Sequence, residues 1–229
     1  MKKFPIGLTI ATVIAFAILC GLGGWQLKRL AWKTDLLTRI AEAQAAQPKP
    51  IGQVPLTPAY RYRRVTLDCP GLATAPFTEV YAIRDGKAGA RIVSLCSPVG
   101  SRTQIMVDRG FVVDTVTARP PVKVSTAVVH LTGVLREGDK PGLFTPPMSQ
   151  GRFYVRELDQ MALALGARRH PGVMVMAETS SNPEWPALIP EPLPLDIANR
   201  HLEYALTWFG LAGALVAVYA AVVRRRMKA

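Results

Sequence analysis

The feature of this sequence best suited to chemistry is a histidine followed by aromatic and small residues at helical spacing. Tyr204, Ala205 and Trp208 share one helix face with His201, because residues three, four and seven positions apart lie on the same side of a helix. A neutral imidazole nitrogen can coordinate haem iron, and aromatic and small side chains can line a planar macrocycle. His201 is therefore a candidate ligand for haem iron, with the three other side chains as a possible wall for the macrocycle.

The same residues also have a simpler interpretation as part of a membrane boundary. An interfacial histidine can hydrogen-bond a lipid headgroup or the backbone, and Tyr204 and Trp208 are typical of the aromatic belt at the edge of a bilayer. Trp25 and Gln26 could face His201 across an antiparallel helix pair, although Trp25 could equally serve as an anchor. The residues alone leave both interpretations open.

Arg109 is a second candidate, because it follows an apolar run typical of a β-strand and precedes a glycine. Gly110 would permit a bulge or a close backbone approach at this point. The guanidinium could bind an anionic group such as a haem propionate, or it could pair with Asp108 or Asp114. We expect a structural salt bridge, since such pairs are common.

Motifs of familiar enzymes and metal carriers are absent from the sequence. There is no G-x-S-x-G, H-E-x-x-H or Walker-type loop, and no G-x-G-x-x-G follows a strand. Neither C-x-x-C nor C-x-x-x-C occurs, so the soft ligands that select copper(I) are missing. We therefore expect a protein that is neither an enzyme nor a copper carrier.

Three cysteines occur along the chain. Cys69 and Cys96 could pair in an oxidising compartment, but two thiols without a close spacing predict neither a disulfide nor a metal site. The pairing is left open at this point. We expect Cys20 to be an ordinary thiol buried in a membrane helix.

Two apolar stretches without charges, residues 4–25 and 204–223, are each long enough to cross a bilayer, which takes about 20 residues. A cleaved signal peptide is the alternative for the first stretch, but Leu19 occupies a position that lipoprotein processing reserves for a small residue. We expect two transmembrane helices in a lipid bilayer.

The net charge of +12 is concentrated at the two ends of the chain. The terminal basic residues are Lys2, Lys3, Arg224, Arg225, Arg226 and Lys228. Under the positive-inside rule they place both termini in the cytoplasm, so the protein is expected to be a multi-pass protein of a bacterial inner membrane with its main domain periplasmic. The middle of the chain is only mildly basic, which argues against binding to nucleic acid.

Between the two spans the hydrophobic pattern predicts an α+β domain. Short β-type runs separated by turn residues favour an antiparallel β-sheet or small barrel, and a short helix is predicted over 157–165. The strands are predicted at 62–68, 77–84, 90–97, 103–113, 127–135, 152–155 and 173–177. The expected organisation is transmembrane helix 1–25, amphipathic stem 26–50, extracytoplasmic domain 51–181, Pro-rich connector 182–200, transmembrane helix 201–223 and basic tail 224–229.

Both spans carry a small residue at every fourth position, which allows two helix backbones to approach closely. The two stripes are Gly7, Ala11 and Ala15 in the first span and Gly213, Ala217 and Ala221 in the second. We expect these stripes to touch.

Three segments are distinctive: residues 24–29 with Trp32 and Lys33, residues 107–112, and residues 199–209. Together they resemble the Surfeit locus protein 1 family of cytochrome c oxidase assembly factors, and the resemblance covers nearly the whole chain. The last segment is the most specific, because a long polar and aromatic string at a membrane entry seldom recurs by chance. The sequence departs from the common family pattern at Arg200 and Phe111, where many members carry Asn and Trp.

The resemblance implies a role in the biogenesis of haem-copper cytochrome c oxidase. The chain would bind haem a transiently or help to insert it into the large catalytic subunit, and could contact a haem a synthesis enzyme. The residues implied at the cofactor are His201, Tyr204, Trp208, Trp25, Gln26 and Arg109. A membrane chaperone without a cofactor is the alternative, and a scaffold for another envelope complex is a third interpretation.

Overall fold

The computed structural model describes residues 5–149, 151–167, 169–190 and 198–228. The chain divides into two compact units, one bounded by Met1–Ile40 and Leu195–Ala229 and the other by Ala41–Pro194. Part of the predicted connector, residues 191–197, and the terminal Lys2 and Lys3 lie outside the described residues.

Two long helices make up the first unit and carry the apolar stretches. Helix α1 covers Ile6–Ala45 as one continuous helix that includes most of the predicted stem, and helix α3 covers His201–Lys228. Their most apolar windows have mean hydropathies of 2.3 and 2.0. By length and composition both helices can cross a membrane.

The second unit contains an eight-stranded sheet and one short helix, α2, at Leu158–Ala164. The strands are β1 Lys49–Pro50, β2 Arg64–Pro70, β3 Phe77–Arg84, β4 Lys87–Cys96, β5 Ile105–Val113, β6 Val128–Glu137, β7 Arg152–Phe153 and β8 Val173–Ala177. The predicted strands at 77–84 and 173–177 are confirmed with the same bounds, and the other predicted strands are confirmed with shifted ends.

The sheet is mixed, so the expectation of an antiparallel sheet is wrong in part. Strands β3, β4 and β5 form antiparallel hairpins through short turns, as the turn residues predict. In the order β1-β2-β6-β8-β5-β4-β3-β7, however, β8 lies between β6 and β5 and runs parallel to β5. The pairs β1–β2 and β3–β7 are also parallel. These partners are distant in sequence, and hydrophobic alternation carries no information on which strands pair.

Packing on both faces explains the burial of the central strands. All of β8 is buried, and so is β5 from Ile105 to Val112. One apolar cluster includes Val65, Leu67, Leu131 and Val175. A second cluster covers the other side with α2, through residues that include Met106, Met161 and Met174. The sheet therefore forms a rigid centre for the second unit.

Cys69 on β2 and Cys96 on β4 form a disulfide, with their Cα atoms 5.6 Å apart. Both residues are buried in the apolar core of the sheet. The strands β2 and β4 are not neighbours in the sheet, so the bond links two parts of the domain that no ladder connects directly. The sequence left this pairing open, because strand order decides whether the two thiols meet.

Replacing both cysteines by alanine is expected to destabilise the domain by about 3 kcal/mol, because the bond closes a loop of 27 residues and restricts the unfolded chain. This loss is measured by urea unfolding, with hydrogen exchange of peptides from β2 and β4 as the readout at each urea concentration. Cys20→Ala is the matched control, since Cys20 is a free thiol in α1, and it should leave the midpoint unchanged. Equal midpoints for the double variant and the control would contradict the prediction.

The helices α1 and α3 contact each other, but not through the predicted stripes. An added Cβ at Gly7 or at Gly213 would have no atom within 4 Å, so these positions face away from the partner helix. Buried small residues instead mark the contact, at Gly23 in α1 and at Ala205 and Ala212 in α3. Small residues occur on several faces of α1, so their four-residue spacing alone could not identify the contacting face.

Gly23 has a specific role in this helix contact. An ideal Cβ there would lie 2.7 Å from the ring of Phe209, whereas a Cβ at Gly24 would meet nothing within 4 Å. Near the opposite ends of the helices, the hydroxyls of Thr9 and Tyr219 lie 2.7 Å apart. The two helices therefore pack along most of their apolar length.

Gly23→Leu is expected to separate the helices, and Gly24→Leu is the matched control. Thr9→Cys and Tyr219→Cys, introduced in a Cys20→Ala background, allow the contact to be measured with a short bifunctional thiol reagent that can span the space left by the tyrosine ring. We expect the cross-linking rate to fall by roughly tenfold in the Gly23 variant, since overpacking typically costs 1–3 kcal/mol, and to be unchanged in the control. Equal rates in both variants would show that the ring of Phe209 simply moves aside.

Candidate functional site

His201 and Gln26 meet where α3 begins beside α1. The imidazole Nδ1 lies 2.7 Å from the amide oxygen Oε1 of Gln26. With this oxygen as the acceptor, Nδ1 carries the proton and donates the hydrogen bond. The lone pair is then on Nε2, which is the nitrogen that a neutral histidine offers to a metal. A hydrogen bond to the other ring nitrogen is typical of metal-binding histidines, because it orients the ring.

The other candidate residues near His201 differ in their exposure to solvent. Ala205 is buried and Trp208 is half-buried, whereas Tyr204 and Trp25 are 54% and 50% exposed. The guanidinium of Arg29 lies 5.4 Å from the ring centroid of Trp25, a cation–π contact. The structure therefore brings His201 and Gln26 together, and leaves Tyr204 and Trp25 with surface free for lipid or a ligand.

A polar group lies just beyond this pair and was not among the predicted site residues. Lys33 donates from Nζ to the carbonyl of Ala198 at 2.6 Å, and Asn199 donates from Nδ2 to the hydroxyl of Thr34 at 3.3 Å. The Oδ1 atom of Asn199 is buried and has no hydrogen-bond partner in the described part of the chain. Both Lys33 and Asn199 lie in segments that carry the family resemblance, and this resemblance was the signal in the sequence that could have identified them as site residues.

Arg109 occupies a different position from the one expected. It lies in the second unit, is fully buried, and makes no ion pair among the described residues. Its guanidinium donates to Ser181 Oγ at 3.0 Å, Ser94 Oγ at 3.3 Å and the Ala73 carbonyl at 2.8 Å. Burial lowers the pKa of Arg109 to about 10, so it remains charged at neutral pH.

The expected salt bridge is wrong, because both carboxylates bind other arginines. Asp108 pairs with Arg91 inside the sheet, and Asp114 pairs with Arg152 at 2.9 Å. A bulge between β4 and β5 is the cause: Val93 pairs with Asp108 and Ile92 with Gly110, which leaves Arg109 as the extra residue. Arg109 thus serves as a structural cation that joins three segments of the domain.

Gly110 confirms the predicted bulge and close backbone approach. Its φ angle of +133° is one that other residues rarely adopt. An added Cβ would lie 2.4 Å from the carbonyl oxygen of Ile189, which accepts a hydrogen bond from the Phe111 amide. The glycine is therefore required where the segment after β8 crosses β5.

Each of the other two histidines contacts a carboxylate. His130 contacts Asp68 at 2.7 Å, and His170 contacts Asp159 at 2.9 Å. Within the described ranges, no group of three or more His, Cys, Asp or Glu side chains could hold a metal ion. His201 is consequently distinguished from the other two by its amide partner and by its position at the start of an apolar helix.

Comparison with known proteins gives a consistent match over most of the chain. Residues 13–213 match the model of the SURF1 family. Surfeit locus protein 1 of Gallus gallus is 27% identical over 91% of this chain and 71% of its own length, and that of Takifugu rubripes is 27% identical over 91% and 93%. The Homo sapiens protein is 28% identical over 85% and 70%. The match includes His201, Gln26 and the whole sheet.

Proposed function

Because this chain belongs to the SURF1 family, we propose that it is an assembly factor for haem-copper cytochrome c oxidase, which binds haem a and helps to insert it into the large catalytic subunit. The observation that carries this proposal is the hydrogen bond between His201 and Gln26. It leaves Nε2 of a neutral imidazole available to the iron. Haem a is cargo in this proposal, and the chain performs no catalysis on it.

The residues around His201 suit such a cargo. Tyr204, which is exposed, and Trp208, which is half-buried, offer aromatic surface on the same helix as the imidazole. Arg29 and Lys33, which follow the apolar stretch of α1, can supply positive charge for the two propionates. The long apolar tail of haem a would be accommodated by lipid beside the helices. Arg109 has no part in this site, since it is enclosed by neutral acceptors in the sheet domain.

The proposed location is a bacterial inner membrane with both termini in the cytoplasm and the sheet domain in the periplasm. The two apolar helices and the basic residues after α3 support this topology. The Cys69–Cys96 disulfide supports it as well, because such bonds persist in an oxidising compartment. The large oxidase subunit and a haem a synthesis enzyme are the proposed partners in that membrane.

The test is the haem content of the detergent-purified full chain after co-expression with the enzymes of haem a synthesis. An optical spectrum and analysis of extracted haem should show bound haem a. A strain that lacks the protein should lose oxidase activity. A protein free of haem, with loss of oxidase on deletion, would replace this proposal with a cofactor-free membrane chaperone. Intact oxidase in the deletion strain would exclude both.

Gln26→Leu is expected to weaken haem a binding by roughly 10- to 100-fold, which is the usual effect of removing the hydrogen-bond partner of a ligating histidine. Gln26→Glu keeps an acceptor for Nδ1 and should retain haem. Haem transfer to an excess of apomyoglobin, followed spectroscopically, gives the relative dissociation rates. The same rate for the Leu and Glu variants would mean that Gln26 does not orient the ligand.

A further inference from the structure

A basic pocket opens on the sheet domain between the start of β2 and the end of β6. It is a cavity of about 360 Å³. The lining residues are Arg61, Tyr62, Arg136, Glu137, Gly138, Asp139 and Lys140. The haem proposal uses none of these residues, so their arrangement needs a separate explanation.

The pocket has an excess of positive charge. Glu137 is paired with Arg61 at 3.7 Å, and Asp139 with Arg156 at 3.1 Å. Arg136 and Lys140 have no carboxylate within salt-bridge distance among the described residues, so the pocket keeps a net positive charge. Burial lowers the pKa of Arg136 and the charge of Arg156 lowers it further, whereas Tyr62 and the charge of Asp139 act in the opposite direction. An anion in this pocket would relieve both lowering effects.

Tyr62 holds the two arginines of the pocket in place. Its ring centroid lies 5.9 Å from the guanidinium of Arg61 and 5.9 Å from that of Arg136. Its φ angle is +72°, an unfavourable conformation for an aromatic residue. A 2.7 Å hydrogen bond from its amide to the carbonyl of Leu135 fixes it against β6. Strain of this kind is typical of ligand sites.

Directly after Lys140 the chain makes a tight turn whose two central residues are apolar. The Thr145 amide donates to the Gly142 carbonyl at 3.1 Å, and the Gly142 amide donates to the Thr145 hydroxyl at 2.8 Å. Leu143 and Phe144 at the centre of this turn are 99% and 96% exposed. Turns usually carry polar residues or glycine at such positions. An ordered turn that presents two apolar side chains to solvent indicates a binding surface.

We propose that the basic pocket and the Gly142–Thr145 turn together form a binding site for anionic phospholipid, in which the cations bind the phosphate and Leu143 and Phe144 enter the interfacial region. Lys140 belongs to the pocket and lies three residues before Leu143, hence within about 11 Å along the chain. Basic residues beside exposed apolar ones are the usual composition of membrane-surface sites.

A lipid surface fits this site better than a protein partner does. Two apolar side chains offer far less area than the roughly 1,000 Å² that a specific protein interface buries. For a lipid site the small area is sufficient, because the same chain carries two candidate membrane helices and so keeps a bilayer at high effective concentration. The site adds a lipid-dependent contact to a domain that is already tethered.

The test uses the full chain in nanodiscs of phosphatidylcholine, with or without phosphatidylglycerol. Leu143→Cys in a Cys20→Ala background carries a spin label, whose relative accessibility to oxygen and to a water-soluble nickel complex reports insertion. We expect insertion only with phosphatidylglycerol. Arg136→Gln with Lys140→Gln should reduce the inserted fraction by roughly tenfold, since each basic residue adds to the attraction. Lys140→Gln alone, at an exposed position, should give part of this loss without a risk to folding.

Val124→Cys is the matched control, because this side chain is also fully exposed but lies between β5 and β6. Its label should stay accessible to nickel in both kinds of disc. Equal insertion of the Leu143 label in both lipids would overturn the role of the basic pocket. Absence of insertion both with and without phosphatidylglycerol would overturn the whole site and would favour an acidic protein segment as its occupant.

Discussion

His201→Ala is expected to reduce haem a retention in the purified protein by roughly a hundredfold or more, since it removes the proposed iron ligand, and loss of a supporting partner alone already costs 10- to 100-fold. The free Nε2 of His201 is the basis for this expectation. The measurement is the haem a content per chain after co-expression with the synthesis enzymes and purification in detergent.

Two further variants separate the ligand role of His201 from a structural one. His201→Gln can still hydrogen-bond Gln26 but provides no good iron ligand, so it should lose haem. When it is combined with Thr9→Cys and Tyr219→Cys, the cross-link between α1 and α3 should still form. His130→Ala is the matched control, because His130 is an exposed histidine paired with Asp68, and it should keep full haem content. Wild-type haem content in His201→Ala would leave the histidine as a membrane-boundary residue only.

Asp108→Ala is expected to destabilise the sheet domain by about 3–5 kcal/mol, which is the usual cost of removing one partner of a buried ion pair. The Asp108 side chain is fully buried and binds Arg91, whose side chain is 8% exposed. Its other carboxylate oxygen accepts a hydrogen bond from the Gly110 amide at 3.2 Å. The substitution therefore removes the carboxylate of a buried ion pair at the bulge between β4 and β5.

Hydrogen exchange of β4 and β5 peptides in the full chain measures this loss locally. Asp68→Ala is the matched control, because Asp68 pairs with His130 at the surface and should change the free energy of opening by less than about 1 kcal/mol. Asp108→Asn should fall between the two, since it keeps the shape but not the charge. Equal protection in the Asp108→Ala and Asp68→Ala variants would contradict the prediction.

The strands and helices were largely predictable because their signals are local. Alternation and turn residues identified the strands at 77–84 and 173–177, and continuous apolar runs identified α1 and α3. Gly110 could be recognised as a bulge because a glycine after an apolar run has few other uses. His201 and Gln26 could be selected because each lies at one end of an apolar stretch, and an antiparallel pair of helices would bring these two ends together.

Pairing between distant segments could not be predicted from the sequence. The parallel position of β8 beside β5, the meeting of Cys69 with Cys96, and the neutral partners of Arg109 all depend on strand order. A bulge of one residue changed which carboxylate faces which arginine. Likewise, several faces of α1 carry small residues, and only side-chain packing against Phe209 selected the face with Gly23.

The sequence by itself therefore determined the two apolar helices, the family, the composition of the domain between them and the histidine to test. The tertiary structure alone decided the partner of that histidine, the disulfide, the helix contact and the pocket formed by Arg61, Arg136 and Lys140. The physical reason is that hydrophobic periodicity acts over a few neighbouring residues, whereas these features require groups from distant segments to meet within a few ångströms.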